Sequence, residues 1–353
     1  MRNLTLFGVV TLILSTPTLA VTNAKVGRLD REKVTISWND PGAVSVFVSD
    51  TPSANIAAAM QVAQEVRNGF VMVASDTKAR HYFLLKGKDG KVVHVAERLL
   101  PLEQGSNFRD VGGYTGAGGK MVKWGKIFRS GAMPMLTQAD YAQLLSLHIG
   151  SMIDLRSIDE REIAPTLLDD RTGALYIAND YSAKSMFASM PAQVDGKFSS
   201  DLYANFARDY APQYRAIFNR LLADDGAVVY NCSAGQDRTG TATALIYSVL
   251  GVPRDVIMAD YHLSTKYRRP QFEMPKINPA DYPNNPIAAY YAAAAKRPGG
   301  AKAEPLYGAD GVPFLKPFLE GLEARYGSID AYLEKEIGLT PEKRAKLKAL
   351  YLE

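Results

Sequence analysis

The chain has one cysteine in 353 residues, Cys232, so no internal disulfide can staple it. Its four histidines, His81, His94, His148 and His262, stand far apart without ligand spacing, which speaks against a bound metal; no other cofactor is expected either. Charge of one sign is also missing. The 41 basic and 37 acidic residues leave a net +4, which makes no footprint for nucleic acid. The densest basic run, Lys343, Arg344, Lys346 and Lys348, reads as the solvated face of a terminal helix. Beyond residue 20 no apolar run is long enough to cross a bilayer, and no internal repeat is visible. A chain of this length can bury a sufficient core without disulfides.

The one long apolar run stands at the start. Arg2 precedes Leu4 to Leu14, and Ser15, Pro17 and a small-residue site ending at Ala20 follow, the pattern of a secretory signal peptide over residues 1–20. A second cleavage point lies after Ala24, and an uncleaved anchor is the alternative. The expectation is an exported protein, periplasmic or secreted, with no transmembrane helix in the mature chain.

From residue 25 to 102 the apolar pattern has period two. Val34 to Trp38, Val44 to Val48, Phe70 to Val73, His81 to Leu85 and Val92 to Val95 read as short strands, with Asp89-Gly90 as a hairpin turn. That spacing suits a small all-β sandwich of immunoglobulin or fibronectin type, a module that carries no chemistry and could dock a protein or surface partner. From 103 to 353 strands alternate with helices. Ile127–Arg129, Ser151–Leu155, Ala174–Ile177 and Ala227–Tyr230 suit a buried, mainly parallel sheet flanked by helices, so this region is α/β. A helix is expected from Thr137 to about His148, another from Tyr203 to Leu222, and three more close the chain. Between them, residues 267–313 are rich in proline and form an insertion.

Cys232 stands between the strand ending at Tyr230 and a helix expected from Thr239 to Leu250, in the stretch "NCSAGQDRTG" from Asn231 to Gly240. A loop of this kind points successive backbone N–H groups at one spot, and the helix N-terminus adds partial positive charge. Ser233, Ala234, Gly235, Gln236, Asp237 and Arg238 therefore make an anion site suited to a phosphate, which Arg238 grips with its planar fork. The same field favours the thiolate of Cys232. Nucleophile and anion site coincide, so the thiolate can attack phosphorus and form a phosphocysteine that water hydrolyses; no metal is needed. Thr239 is placed to offer its hydroxyl to the departing sulfur.

At these residues the chain resembles a known family. Cys-x5-Arg-Thr together with "NFRDVGGY" (107–114), "IFRSGAM" (127–133), "IDLRSIDERE" (153–162) and "YGSIDAYLEKEIGLT" near the end is similar to the atypical secreted bacterial protein tyrosine phosphatases of the NFRDxGG type. The likeness covers about 104 to 352 and leaves the β-module unmatched. It implies a cysteine-dependent phosphatase acting on phosphorylated protein, with residues 267–313 in the position of a lid. Two departures stand out. Asn231 replaces the usual histidine, and Gln236 stands where phosphoinositide-handling members carry lysine.

Three aspartates are candidates for the proton donor to the leaving group. Asp237, favoured also by the resemblance, would hold its proton beside a bound phosphate dianion; Asp180 follows a strand, where related enzymes bring an acid on a mobile loop; Asp154 is a third candidate whose other reading is to orient arginines such as Arg156. Asn107, Arg109 and Asp110 are expected to tie the start of the domain to the site, as structural support or as substrate contacts. Tyr261, Tyr267, Tyr282, Tyr290 and Tyr291 form an aromatic wall or ordinary packing. The function expected is hydrolysis of phosphotyrosine, with phosphoserine and phosphothreonine in reach. The alternatives are an inositol phosphate or phosphoinositide phosphatase, supported by Lys266, Arg268 and Arg269, and a pseudo-phosphatase that only binds phosphorylated ligands, supported by Asn231.

Overall fold

The computed structural model describes residues 21–184, 200–296, 302–308 and 310–353. The expected leader, residues 1–20, lies outside them, as does part of the insertion. Seven strands come first: β1 (Thr22–Arg28), β2 (Lys33–Asn39), β3 (Val44–Ser49), β4 (Met60–Val66), β5 (Phe70–Ala74), β6 (Tyr82–Lys86) and β7 (Val92–Ala96). They pair antiparallel in two sheets, β1-β2-β5 and β4-β3-β6-β7. Alternation explains the burial. Val34, Ile36 and Trp38 of β2 point inward against Val44, Val46, Phe83, Leu85 and Val95, while Lys33 and Ser37 face water. Strands β1 and β4 escape the sequence pattern because their registers are interrupted, with Asn23 and Glu65 in the left-handed region.

The remaining strands are β8 (Arg109–Asp110), β9 (Ile127–Ser130), β10 (Ile149–Asp154), β11 (Leu175–Ala178) and β12 (Ala227–Asn231), in the order β11-β10-β12-β9-β8. Only the β8–β9 pairing is antiparallel. Helices α1 (Gln138–Leu145), α2 (Ile158–Ile163), α3 (Leu168–Thr172), α4 (Ser200–Asp209), α5 (Ala211–Ala223), α6 (Asp237–Leu250), α7 (Arg254–Tyr267), α8 (Ala288–Ala295), α9 (Leu315–Tyr326), α10 (Ile329–Tyr332) and α11 (Pro341–Tyr351) surround the sheet. Successive side chains of one strand enter opposite cores. Val228 and Tyr230 pack with α5, α6 and α9, and Val229 packs with Phe128, Leu144 and Met152. Strand β12 is buried along its whole length, which fixes the residue that follows it. Among the described residues no helix is long and apolar enough to cross a membrane.

Two expectations need correction. The single helix from Tyr203 to Leu222 is two, broken at Tyr210, because Pro212 lacks an N–H and its ring crowds the preceding turn. The helix after the cysteine loop begins at Asp237 rather than Thr239, so Asp237 and Arg238 are its first residues.

The β-region rests firmly on the α/β region. Buried Arg80 donates to buried Asp110 at 2.8 Å, and Tyr82, Ala96 and Trp124 cluster across the junction. Trp124 also donates from its indole nitrogen to the His94 carbonyl at 3.2 Å. Asp110 accepts further hydrogen bonds from the backbone of Gly112 and Gly125, so this residue braces the junction.

Candidate active site

Cys232 is 1 % exposed at the carboxyl end of the central strand, where β12 opens into the loop before α6. The loop's carbonyls are held by donors outside it. Ala132 N donates to Ser233 O at 2.9 Å, Asn107 Nδ2 to Ala234 O at 3.1 Å and to Gly235 O at 2.9 Å, and Arg129 Nη2 to Gly235 O at 2.8 Å. In a trans peptide the N–H points opposite to the C=O. The amides of Ala234, Gly235 and Gln236 are thereby turned to the other side of the loop, toward the start of α6. Gly235 has φ 66°, and a Cβ there would lie 2.6 Å from Gly131 N and Ser130 O, so only glycine fits.

Beneath this loop lies a buried set of charges. Asp260 of α7 accepts from Arg109 at 3.3 Å and from Arg129 at 3.1 Å, and Ser264 accepts from Arg109 at 3.1 Å. Burial alone would raise the Asp260 carboxyl, but Arg109, Arg129 and Arg98 outweigh it and hold it below the usual range. Arg109 also donates to Asn107 Oδ1, which fixes the amide that clamps the loop.

Arg238 is anchored by Glu160 of α2, with Nη1 to Oε2 at 2.7 Å and Nη2 to Oε1 at 2.6 Å. Nη1 also meets Leu155 O at 3.2 Å and Tyr181 OH at 2.8 Å. Of the five guanidinium hydrogens, those on Nη1 and one on Nη2 are so engaged; among the described residues Nε–H and the second Nη2–H have no such partner and remain for an anion. Glu160 is itself held by a capping box, accepting from Ser157 N at 2.7 Å while Ser157 Oγ accepts from Glu160 N at 3.2 Å. Ser233 Oγ donates to it as well, at 2.5 Å. A hollow of inward amides ending in an arginine edge, beneath which a cysteine sits, suits a tetrahedral oxyanion.

A profile of the Tyrosine phosphatase family matches residues 100–353. The chain belongs to that family. A Cupriavidus necator protein named "Putative tyrosine-protein phosphatase" is 31 % identical over 237 residues, 65 % of this chain and 80 % of that protein. A tyrosine-protein phosphatase of Nostoc commune is 30 % identical over 227 residues, 62 % of this chain and 72 % of its own length. The triple specificity protein phosphatase of Mycobacterium tuberculosis is 32 % identical over 186 residues, 44 % of this chain and 65 % of its own. The protein is thus a protein-tyrosine phosphatase by family, and the matched residues begin just after β7.

The phosphatase brings most of the singled-out residues together. Thr239 is fully buried on the first turn of α6, and its hydroxyl has no hydrogen-bond partner among the described residues. Asp237 opens that helix and accepts from Tyr203 OH. Asp180 is placed elsewhere: its side chain is 75 % exposed and pairs with Arg161. Asp154 is fully buried and consumed by Arg156 at 2.7 Å and by Tyr176 OH at 3.0 Å, with Asn231 Nδ2 at 3.5 Å. Gln236 accepts from Arg268, which is also held on two points by Glu273, at 2.9 and 2.7 Å.

Of the five tyrosines, Tyr291 lies beside Ser233 of the loop and Glu160, and burial first, then Glu160, raises its pKa. Tyr261 packs under α6, Tyr282 lies in the cluster around Ile163 and Ile287, and Tyr290 is exposed. Tyr267 has its ring near Arg109. Sequence reasoning missed Glu160, Tyr181 and Tyr210 at the site, and Arg129 and Asp260 beneath it. The capping box Ser157-x-x-Glu160 is a signal that points to Glu160.

Proposed function

We propose that this protein is an exported phosphatase that hydrolyses phosphotyrosine in proteins through a phosphocysteine intermediate. Cys232 supplies the attacking sulfur, the loop amides and the free edge of Arg238 hold the phosphoryl oxygens, and Thr239 donates its hydroxyl to the sulfur as it leaves in the second step. Asp237 protonates the departing phenolate and then draws the proton from the attacking water. Asp180 would take that part only if its loop moved and its pairing with Arg161 broke. Residues 267–313 act as a lid, and the seven-stranded β-region is a fibronectin-like module for a protein or surface partner. Export to the periplasm or outside the cell is the reading that the leader-like pattern of residues 1–20 supports.

The observation that carries the reading is the loop whose Ser233, Ala234 and Gly235 carbonyls are held from outside, after a cysteine that is almost fully buried. Tyr181, whose hydroxyl accepts from Arg238 at 2.8 Å, and Tyr210, edge-on to it at 5.7 Å between ring centroids, put aromatic surface beside the phosphate loop, which favours an aryl phosphate ester over an alkyl one. Two of the three basic residues that favour a phosphoinositide are committed to other duties. Arg268 is neutralised by Glu273, and Arg269 donates to the carbonyls of Leu102, Glu103 and Gly105.

A panel of phosphotyrosine, phosphoserine and phosphothreonine peptides beside phosphoinositides tests the assignment. The highest kcat/KM on phosphotyrosine peptides is expected. A phosphoinositide turned over fastest would overturn it, and no turnover on any would favour a binding role.

A further inference from the structure

Asp237 is the end of a hydrogen-bonded chain that the reaction scheme above does not use. Tyr203 of α4 donates its hydroxyl to Asp237 Oδ1, and the Tyr203 and Tyr261 hydroxyls lie 2.6 Å apart. A phenol has one proton. Because that of Tyr203 goes to the carboxyl group, Tyr261 must be the donor in the second bond. The chain therefore runs Tyr261 to Tyr203 to Asp237, each bond polarising the next. Both rings are essentially inaccessible, at 0 and 1 % exposure.

The backbone is shaped around this chain. At Gly240, three residues into α6 from Asp237, a Cβ would stand 2.9 Å from two carbons of the Tyr261 ring. Any larger residue would push Tyr261 off the helix, and glycine in a helix interior is otherwise costly, by about 1 kcal/mol relative to alanine. Tyr203 is locked from its other side by stacking on Phe206 at 5.0 Å and Phe314 at 6.1 Å between ring centroids. Burial, with Asp237 next, raises both phenols well above their ordinary value, so both stay protonated donors through the working range.

We propose that Tyr203 and Tyr261 are positioning residues that fix which oxygen of Asp237 carries the proton delivered to the leaving group. With Tyr203 donating to Oδ1, the proton resides on Oδ2. When the Cys232 sulfur bonds to phosphorus and the phosphorus–aryl oxygen bond breaks, the electron pair goes to the aryl oxygen, which takes the proton from Oδ2. The carboxylate left behind is stabilised by the Tyr203 hydroxyl, so the chain favours transfer as well as orientation. The inference rests on Asp237 as the general acid.

Leaving-group dependence tests it, because an aryl oxide of low basicity departs without a proton and a basic one does not. For Tyr203→Phe and Tyr261→Phe, kcat/KM is measured on aryl phosphates from p-nitrophenyl to unsubstituted phenyl, with Asp237→Asn alongside. The expected result is a steeper dependence on leaving-group basicity: the ratio of p-nitrophenyl to phenyl phosphate rates rises roughly ten-fold in Tyr203→Phe, less in Tyr261→Phe and most in Asp237→Asn. A merely structural role would lower all substrates alike and leave the ratio unchanged. If Asp237→Asn steepens the dependence and neither tyrosine variant does, the positioning role is overturned while the acid stands. If Asp237→Asn leaves the ratio at the wild-type value, the acid assignment fails and the tyrosine role falls with it. Should Tyr203→Phe not fold, Tyr261→Phe, which leaves the stacking of Tyr203 in place, carries the decision.

Discussion

Glu160 and Arg238 meet edge to edge, at 2.7 and 2.6 Å, with both side chains nearly excluded from water. The pair orients the guanidinium before any substrate arrives, so its remaining N–H groups face the loop without loss of rotamer freedom at the moment of binding. Burial alone would raise the Glu160 carboxyl. The Arg238 charge and its hydrogen bonds, with donors at Ser233 and Ser157, more than offset this and hold its pKa at about 2.

Glu160→Gln should therefore act on both catalysis and stability. The folded carboxyl titrates below the unfolded one, so its contribution is present above the ordinary glutamate value and is lost as pH falls toward about 2. The shift corresponds to roughly 3 kcal/mol. Wild type should lose stability between those limits in denaturant unfolding followed against pH, and the variant should show a flatter acid limb. Its kcat/KM should also drop, since the arginine fork is no longer held; an unchanged value would mean that Arg238 orients itself.

Cys232→Ser should abolish turnover of p-nitrophenyl phosphate yet retain binding of a phosphotyrosine peptide, read by calorimetry. The alcohol lacks a base to activate it, while the loop amides and Arg238 are untouched. Activity in the wild type should be blocked by vanadate and survive chelator. Turnover retained by the serine variant would remove the phosphocysteine from the mechanism.

Gly235→Ala should damage the loop more than its size suggests. The left-handed φ of 66° alone costs an alanine about 1–2 kcal/mol. The new Cβ would also stand 2.6 Å from backbone atoms of Ser130 and Gly131, which cannot yield as a flexible side chain can. Lower unfolding free energy and a fall in kcat/KM are expected together. Loss of stability alone would mean that the amides keep their aim by another route.

Asn231→His tests the position before the nucleophile. Asn231 is fully buried, its Nδ2 lies 3.4 Å from the Cys232 carbonyl, and its Oδ1 has no partner among the described residues. An imidazole there would carry a ring N–H donor on the residue next to the thiolate, with Asp154, 3.5 Å from the present amide, within reach of the ring. Alkylation by iodoacetamide should reach half its maximal rate at lower pH than in wild type. The larger ring should cost about 1–3 kcal/mol of stability. Alkylation moved to higher pH would contradict this account of the thiolate's surroundings.

Cys232, Arg238 and the strand and helix around them were legible because their geometry is local: a buried strand, a turn and a helix start within a dozen residues. The alternation of strands and helices gave the α/β class on the same ground. What stayed hidden depends on distant chain. Glu160 lies far from Arg238 in sequence, and nothing near it names its partner, although its capping box was written in Ser157-x-x-Glu160. Asp260 reads as a polar residue on a helix, and only the fold reveals that Arg109 and Arg129 converge on it. Pro212 signals the break at Tyr210, but the apolar residues around it keep helical spacing across the break and mask that signal.

The insertion 267–313 gives the last prediction, which concerns protection of the thiol. A cysteine poised for attack, in a chain with no second cysteine, has no internal disulfide with which to trap the first oxidation product. The insertion is attached next to the site. Asn285 Nδ2 donates to Asp159 O and Glu162 Oε2, both at 2.8 Å, Ile287 and Ala288 bury against Ile163 and Ala183, and Tyr291 lies beside Ser233. These contacts all fall on α2 or the residues around the loop, so loosening them should open the approach to Cys232. Deleting residues 270–312 outright would also remove Glu273, the partner of Arg268 and Ser106, and so confound the result. Asn285→Ala combined with Ile287→Ala avoids that, because it removes one polar clamp and one apolar anchor and leaves Glu273 in place. Inactivation by hydrogen peroxide should accelerate at least roughly ten-fold, since shifting a closed–open equilibrium by little more than 1 kcal/mol suffices. Turnover of a small aryl phosphate should persist. A folded, active variant that oxidises no faster would make the insertion a fixed wall of the site and not a lid.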